Sequence, residues 1–321
     1  MREALINHNE TTFYKECPKR ETVSRSIFSL LDSSDRTFSI ELCPGKNIDE
    51  GLLSKLGLNF CSITWHSPSV AQLKCVDKTP GIQLAQRLCC QGYNVLLHLA
   101  GRNLHGDLVL DILNAAKGIG VRNIFALQGD PSQIKEKDDA KCDFPYAADL
   151  VKFIRAHFGN YFCIGVAGYP DKHPYSVNLE EDVYYLKEKV SNGADFIITQ
   201  ASYDYESFKN FSKRCKESGI NLPIIPGIFI ISSYKTLINM SKFCAVPISA
   251  EVLKIVGKNK DNPKAVREFG IHHTTELMKC ILRETGYNFR GVHIFSLNDL
   301  ELVVEVIKRL GLFGPRLEYP L

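Results

Sequence analysis

Short apolar, β-branched runs alternate with longer stretches in which apolar residues return every three or four positions, along nearly the whole chain. Eight of the short runs read as strands: Phe38–Leu42, Phe60–Trp65, Asn94–Leu99, Asn123–Gln128, Cys163–Gly168, Phe196–Gln200, Ile224–Phe229 and Gly291–Ser296. Each is too short for a globular helix. The spacing predicts helices over Asp107–Lys117, Tyr146–Phe158, Leu179–Asn192, Tyr205–Ser218, Tyr234–Phe243 and Asn262–Thr285. Gly118, Gly193 and Gly219 follow predicted last turns, where a residue that tolerates positive φ ends a helix cheaply.

Strands as continuously apolar as Ile224-Ile225-Pro226-Gly227-Ile228 are expected to be buried on both faces, as in a parallel sheet covered by helices. Eight such strands with crossover helices make a (β/α)8 TIM barrel the economical α/β fold. The long interval from Ile230 to Arg290 leaves room for extra helices between strands 7 and 8 within a single domain. Residues 36–321 are taken as the barrel and 1–35 as an N-terminal extension. A doubly wound fold would need a glycine-rich turn leading from a strand into a helix. Gly118-Ile119-Gly120 lies the other way round, after a helix and before a strand, and no P-loop is present.

With 45 % hydrophobic and 23 % charged residues in 321, the chain can bury a large core, which excludes a disordered, collagenous or coiled-coil protein. The net charge of +3 gives no general reason to bind nucleic acid or an anionic membrane. No run approaches the length of a membrane span. The opening residues carry no apolar stretch of signal-peptide length, so a cytoplasmic location is expected. The 11 cysteines lack paired zinc-type spacing and are expected to be reduced, mostly core thiols, with no metal site.

In a barrel of this kind, chemistry collects at the carboxyl ends of the strands. Those ends carry Glu41; Thr64, Trp65 and His66; His98; Gln128-Gly129-Asp130-Pro131; Tyr169-Pro170 with His173-Pro174; and Gln200. A carboxylate inside the first strand would serve as a general acid or base if it opens on the mouth, or belong to a structural ion pair. His98 reads equally as a core histidine, and Gly129-Asp130-Pro131 equally as a simple turn. Gln200 offers a neutral donor and acceptor suited to a heterocycle edge, or to a neighbouring loop.

These residues, with Ser39-Ile-Glu41, Ile63-Thr-Trp65-His66, Ala126-Leu-Gln-Gly-Asp130-Pro, Val166-Ala-Gly-Tyr169-Pro, Gly193-Ala-Asp-Phe-Ile-Ile-Thr-Gln200, Ile225-Pro-Gly-Ile228 and Ser296-Leu-Asn298, resemble the flavoprotein methylenetetrahydrofolate reductases over roughly Arg36 to Phe313. The resemblance implies a barrel holding FAD at its mouth. NADPH or NADH would reduce the flavin, which would in turn reduce 5,10-methylenetetrahydrofolate to 5-methyltetrahydrofolate, supplying one-carbon units for methionine synthesis. It makes Glu41 the general acid, places Asp130 between flavin and pterin, and sets Gln200 against the pterin and the nicotinamide. Thr64, Trp65, His98, Gln128, Gly129, Asp130, Tyr169, His173, Asp182 and Lys189 would hold the flavin. The resemblance leaves a homo-oligomer open.

The chain departs from the family pattern at several points. Gln128 stands for the usual arginine, Ala201 and Ser202 for aromatics, Ile230 for a proline, and Asp299 for an arginine suited to an anionic folate tail. These substitutions define the alternative, a diverged flavin-binding protein with reduced or lost catalysis, acting as a binding or regulatory protein.

Overall fold

The computed structural model describes residues 24–32, 36–64, 75–102, 104–129 and 143–312. Eight strands, β1 (Thr37–Leu42), β2 (Phe60–Ile63), β3 (Val95–Ala100), β4 (Asn123–Leu127), β5 (Cys163–Gly168), β6 (Phe196–Ala201), β7 (Ile224–Ile228) and β8 (Gly291–Phe295), form a closed barrel. Each strand pairs in parallel with the next, and β8 returns to β1 through the register Thr37↔Gly291 to Glu41↔Phe295. The strands stand where the apolar runs predict them. Continuous burial along β2 and β3, rather than alternation, follows from helices on one face and packed barrel interior on the other.

The helices are α1 (Ile27–Leu31), α2 (Glu50–Leu53), α3 (Pro80–Cys90), α4 (Gly106–Gly118), α5 (Ala147–Phe158), α6 (Leu179–Ser191), α7 (Tyr205–Glu217), α8 (Tyr234–Cys244), α9 (Ala250–Lys258), α10 (Pro263–Arg283) and α11 (Leu300–Leu310). The interval between β7 and β8 holds α8, α9 and α10, so the expected insertion is helical and lies within the one barrel domain. The terminator of α4 is not Gly118, which ends the helix itself. Gly120, at φ 86°, takes the left-handed backbone two residues later. Gly193 and Gly219 do have positive φ as expected.

The interior is filled by Phe60, Leu96, Phe125, Cys163, Phe196, Ile198 and Ile225. Ile27 and Leu31 of α1 join the same cluster. This helix closes the floor of the barrel, at the amino ends of the strands. Asn123 secures it there, accepting from the Ile27 N–H at 2.7 Å and donating to the carbonyls of Arg25 and Val95 at 3.1 Å. A segment read as an extension thus contributes to the core. On that same end, Arg155 pairs with Asp195 at 2.6 Å, and Asp195 also accepts from the Ile164 N–H. Of the described cysteines, Cys61, Cys163 and Cys215 are buried free thiols as expected, whereas Cys90 is disulfide-bonded.

Candidate active site

Ser39 hydrogen-bonds the His293 ring inside the barrel at 2.8 Å, so its side chain faces the axis. Strand alternation turns Glu41 inward as well, one layer nearer the mouth. The carboxyl is only partly exposed, and burial pushes its pKa up to about 7. Among the described residues it makes no ion pair, which removes the structural-pair alternative for those residues. The Ser296 hydroxyl donates to the Glu41 carbonyl and fixes the strand end. Burial first, and then the charge of the Glu41 carboxylate, raises the pKa of the Cys43 and Cys244 thiols.

Just past β2, the Thr64 N–H donates to the Leu42 carbonyl at 3.0 Å and ties the first two strand ends together. Trp65 and Asp130 lie outside the described residues. His98 is buried, with its ring 5.0 Å from Phe125, and it acts electrostatically on His293. It therefore sits deeper than the mouth. Gln128 spends its amide on the Pro145 carbonyl at 2.8 Å, tying the end of β4 to the segment before α5. Gly129 follows at φ 101°, a backbone that favours glycine.

The third cluster joins β5 to α6. Tyr169 and His173 meet edge to face at 4.5 Å, and the Lys189 ammonium lies 5.9 Å from the Tyr169 ring while donating to the Ala167 carbonyl. Asp182 in the first turn of α6 accepts from the His173 N–H at 3.3 Å and from the Ser176 hydroxyl at 3.4 Å. Burial holds the Lys189 ammonium down at about 8, with Asp182 opposing the shift. A cation held in this way, with one carbonyl acceptor among the described residues for three N–H donors, fits a phosphate group. The cluster Tyr169, His173, Asp182 and Lys189 therefore suits the diphosphate and sugar of a dinucleotide such as FAD.

Between Ile198 and Ala201 the β6–β7 register shifts. Such an irregularity re-aims the side chains around it, and Gln200 sits inside it with its side-chain Oε1 accepting from the Ala201 N–H at 2.8 Å. Asp299 caps α11, accepting from the Leu302 N–H at 3.0 Å, and faces Arg267 of α10 at 3.5 Å. The acidic departure is thus a helix cap, and a guanidinium from another helix stands beside it.

Glu41, Thr64, Gln128, Gly129, Tyr169 and Gln200 share the carboxyl end of one parallel barrel, while His98 lies beneath them. Sequence reasoning gave no role to Asn298, whose side chain bonds both backbone groups of Cys43, or to His293. Asn298 was visible only as part of a motif, and His293 only as one polar residue in an apolar strand.

Comparison with known proteins agrees with this geometry. The family model described as Methylenetetrahydrofolate reductase matches residues 29–311. Methylenetetrahydrofolate reductase (NADH) 1 of Arabidopsis thaliana is 34% identical over 309 residues, covering 89% of this chain and 50% of that protein. The probable methylenetetrahydrofolate reductase (NADH) of Oryza sativa is 37% identical over 299 residues, covering 86% and 48%. The probable NADPH enzyme of Caenorhabditis elegans is 32% identical over 302 residues, covering 91% and 45%. The chain spans about half the length of the curated relatives it matches. A solved Clostridium thermocellum protein, described as binding two copies of 5-methyl-5,6,7,8-tetrahydrofolic acid, shares the fold at TM-score 0.59 and 16% identity, covering 89% of this chain and 98% of that one. The family match runs from α1 through α11, over all eight strands and every strand end that carries a candidate residue, and so this chain belongs to the methylenetetrahydrofolate reductase family.

Proposed function

We propose that the chain reduces 5,10-methylenetetrahydrofolate to 5-methyltetrahydrofolate with a nicotinamide dinucleotide, using FAD. The observation that carries this reading is Glu41, an inward-facing carboxyl at the mouth with a pKa of about 7 and no ion-pair partner among the described residues. FAD at the mouth would take a hydride from the nicotinamide and pass it to the folate. Glu41 is protonated in a substantial fraction of molecules near neutral pH, and it supplies the proton that opens the folate imidazolidine ring. Lys189 and Asp182 hold the phosphate and sugar of the cofactor, and Tyr169 with His173 forms the wall beside them. Gln200 reads an amide-like edge of the pterin or the nicotinamide through donor and acceptor atoms that need no charge.

Anaerobic stopped-flow absorbance on FAD-reconstituted protein tests this reading. Reduction by NADH or NADPH followed by folate-dependent reoxidation, with 5-methyltetrahydrofolate as product, is the expected result. Glu41→Gln is expected to keep flavin reduction and to slow the folate half-reaction by at least about a hundredfold. Flavin binding without folate-dependent reoxidation in the unsubstituted protein would overturn the proposal.

A further inference from the structure

A cavity of about 680 Å³ opens on the barrel end opposite the mouth. Its walls are the last turns of α7, the segment entering β7, residues 285–290 entering β8, and Arg36 before β1. Four cationic residues line it, Arg36, Lys213, Lys216 and Arg290, and no carboxylate does so among the described residues.

These charges are poorly compensated. The Arg290 Nε is buried and finds no hydrogen-bond acceptor among the described residues. A guanidinium stays protonated, so an orphaned N–H on one costs more than on a neutral group. Arg36 donates to the carbonyls of Phe289 and Glu284; burial first, and then the nearby Arg290, lowers its pKa, and the Glu284 carboxylate opposes that shift. The hydrogen bonds of the Glu284 carboxylate go to the Tyr205 hydroxyl and the Gly286 N–H, so it acts on Arg36 only through space. Lys213 has a loose pair with Glu217 at 3.9 Å, and Lys216 makes no ion pair among the described residues.

We propose that this cavity binds a small, multiply charged phosphate compound, with Arg36 and Arg290 as the floor and Lys213 and Lys216 as the rim. Guanidinium forks match tetrahedral phosphate oxygens, and mobile lysines suit a second anionic group. The volume exceeds what a single phosphate fills and falls in the range of small-molecule sites. The site lies across the barrel from Glu41 and Lys189 and does not depend on the proposed reaction.

Isothermal titration calorimetry of the full chain with inorganic pyrophosphate at low ionic strength tests it. Saturable binding of one pyrophosphate per chain is expected at this site, weakened about tenfold or more by Lys216→Glu and by Arg290→Gln, and unchanged by Lys189→Gln. Lys216 is exposed, so its variant reads binding without a folding defect. Absence of saturable binding would overturn the proposal. So would loss of binding in Lys189→Gln with Lys216→Glu unaffected, which would place the anion at the mouth. Citrate binding as tightly as pyrophosphate would overturn the phosphate assignment.

Discussion

Asn298 holds both backbone groups of Cys43, its side-chain carbonyl accepting from the Cys43 N–H at 2.8 Å and its amide donating to the Cys43 carbonyl at 3.0 Å. The clamp lies two residues beyond Glu41 and sets where the strand carrying the acid ends. Asn298 itself stands at φ 65°, a backbone that asparagine tolerates better than most residues. Asn298→Ala removes both bonds and leaves alanine in that conformation, so it should cost about 1–3 kcal/mol in urea denaturation. The folate half-reaction should slow while flavin reduction is spared, and Asn298→Asp, which keeps the acceptor alone, should fall between.

Glu41 binds its proton more tightly in the folded chain than in the unfolded one, with a pKa of about 7 against 4.5. The folded state therefore holds the extra proton between those values, and stability falls as pH rises through that window. Glu41→Gln removes this dependence on pH. The variant should gain roughly 1–3 kcal/mol relative to the parent on going from pH 4 to pH 8, an allowance reduced for partial exposure. Parallel denaturation curves at the two pH values check this. In the parent, folate reduction should decline above pH 7 as the acid ionises.

His293 lies fully inside the barrel between Ser39 at 2.8 Å and Ser62 at 3.2 Å, stacked on Phe60 at 6.0 Å. Burial first, and then His98, depresses its pKa to about 3. Its stabilising contribution is complete above the unfolded value of 6.5 and is lost as pH falls below it. His293→Leu should cost about 1–3 kcal/mol at pH 7 by stranding serine hydroxyls. The gap to the parent should narrow between pH 6.5 and 4, and a constant gap would show that His293 takes up its proton equally in the folded and unfolded chains, so that its pKa is not depressed by folding.

Gly270 sits within α10, where alanine would ordinarily improve a helix by about 1 kcal/mol. A Cβ at this position would come within 1.8 Å of the Ile231 carbonyl oxygen, just past β7. Gly270→Ala should therefore destabilise the chain by roughly 2 kcal/mol or more, visible as a lowered thermal midpoint.

The barrel was legible because each strand and helix carries its own periodicity, and the strand-end rule then placed Glu41 and Gln200 on one face without any long-range information. The helix terminator was misplaced by two residues, because Gly118 and Gly120 flank the same turn and only the backbone separates their conformations. What the sequence concealed lies where remote segments meet. Asn298 and Cys43 are brought together by barrel closure, as are His293 and Ser39. The floor helix α1 was hidden for a related reason. Five residues carry too little period to signal a helix, and its partner Asn123 lies on a strand 96 positions from Ile27.

The β1–β8 seam also bears on how the chain is made. Thr37 and Arg290, joined across it, are 253 positions apart. At roughly 5–20 residues per second, β1 would wait on the order of tens of seconds for its second neighbour to leave the ribosome. Until then one side of the first strand is an open template for other chains. Yield from cells should accordingly depend on translation speed and chaperone supply, even for variants whose purified folded state is as stable as the parent.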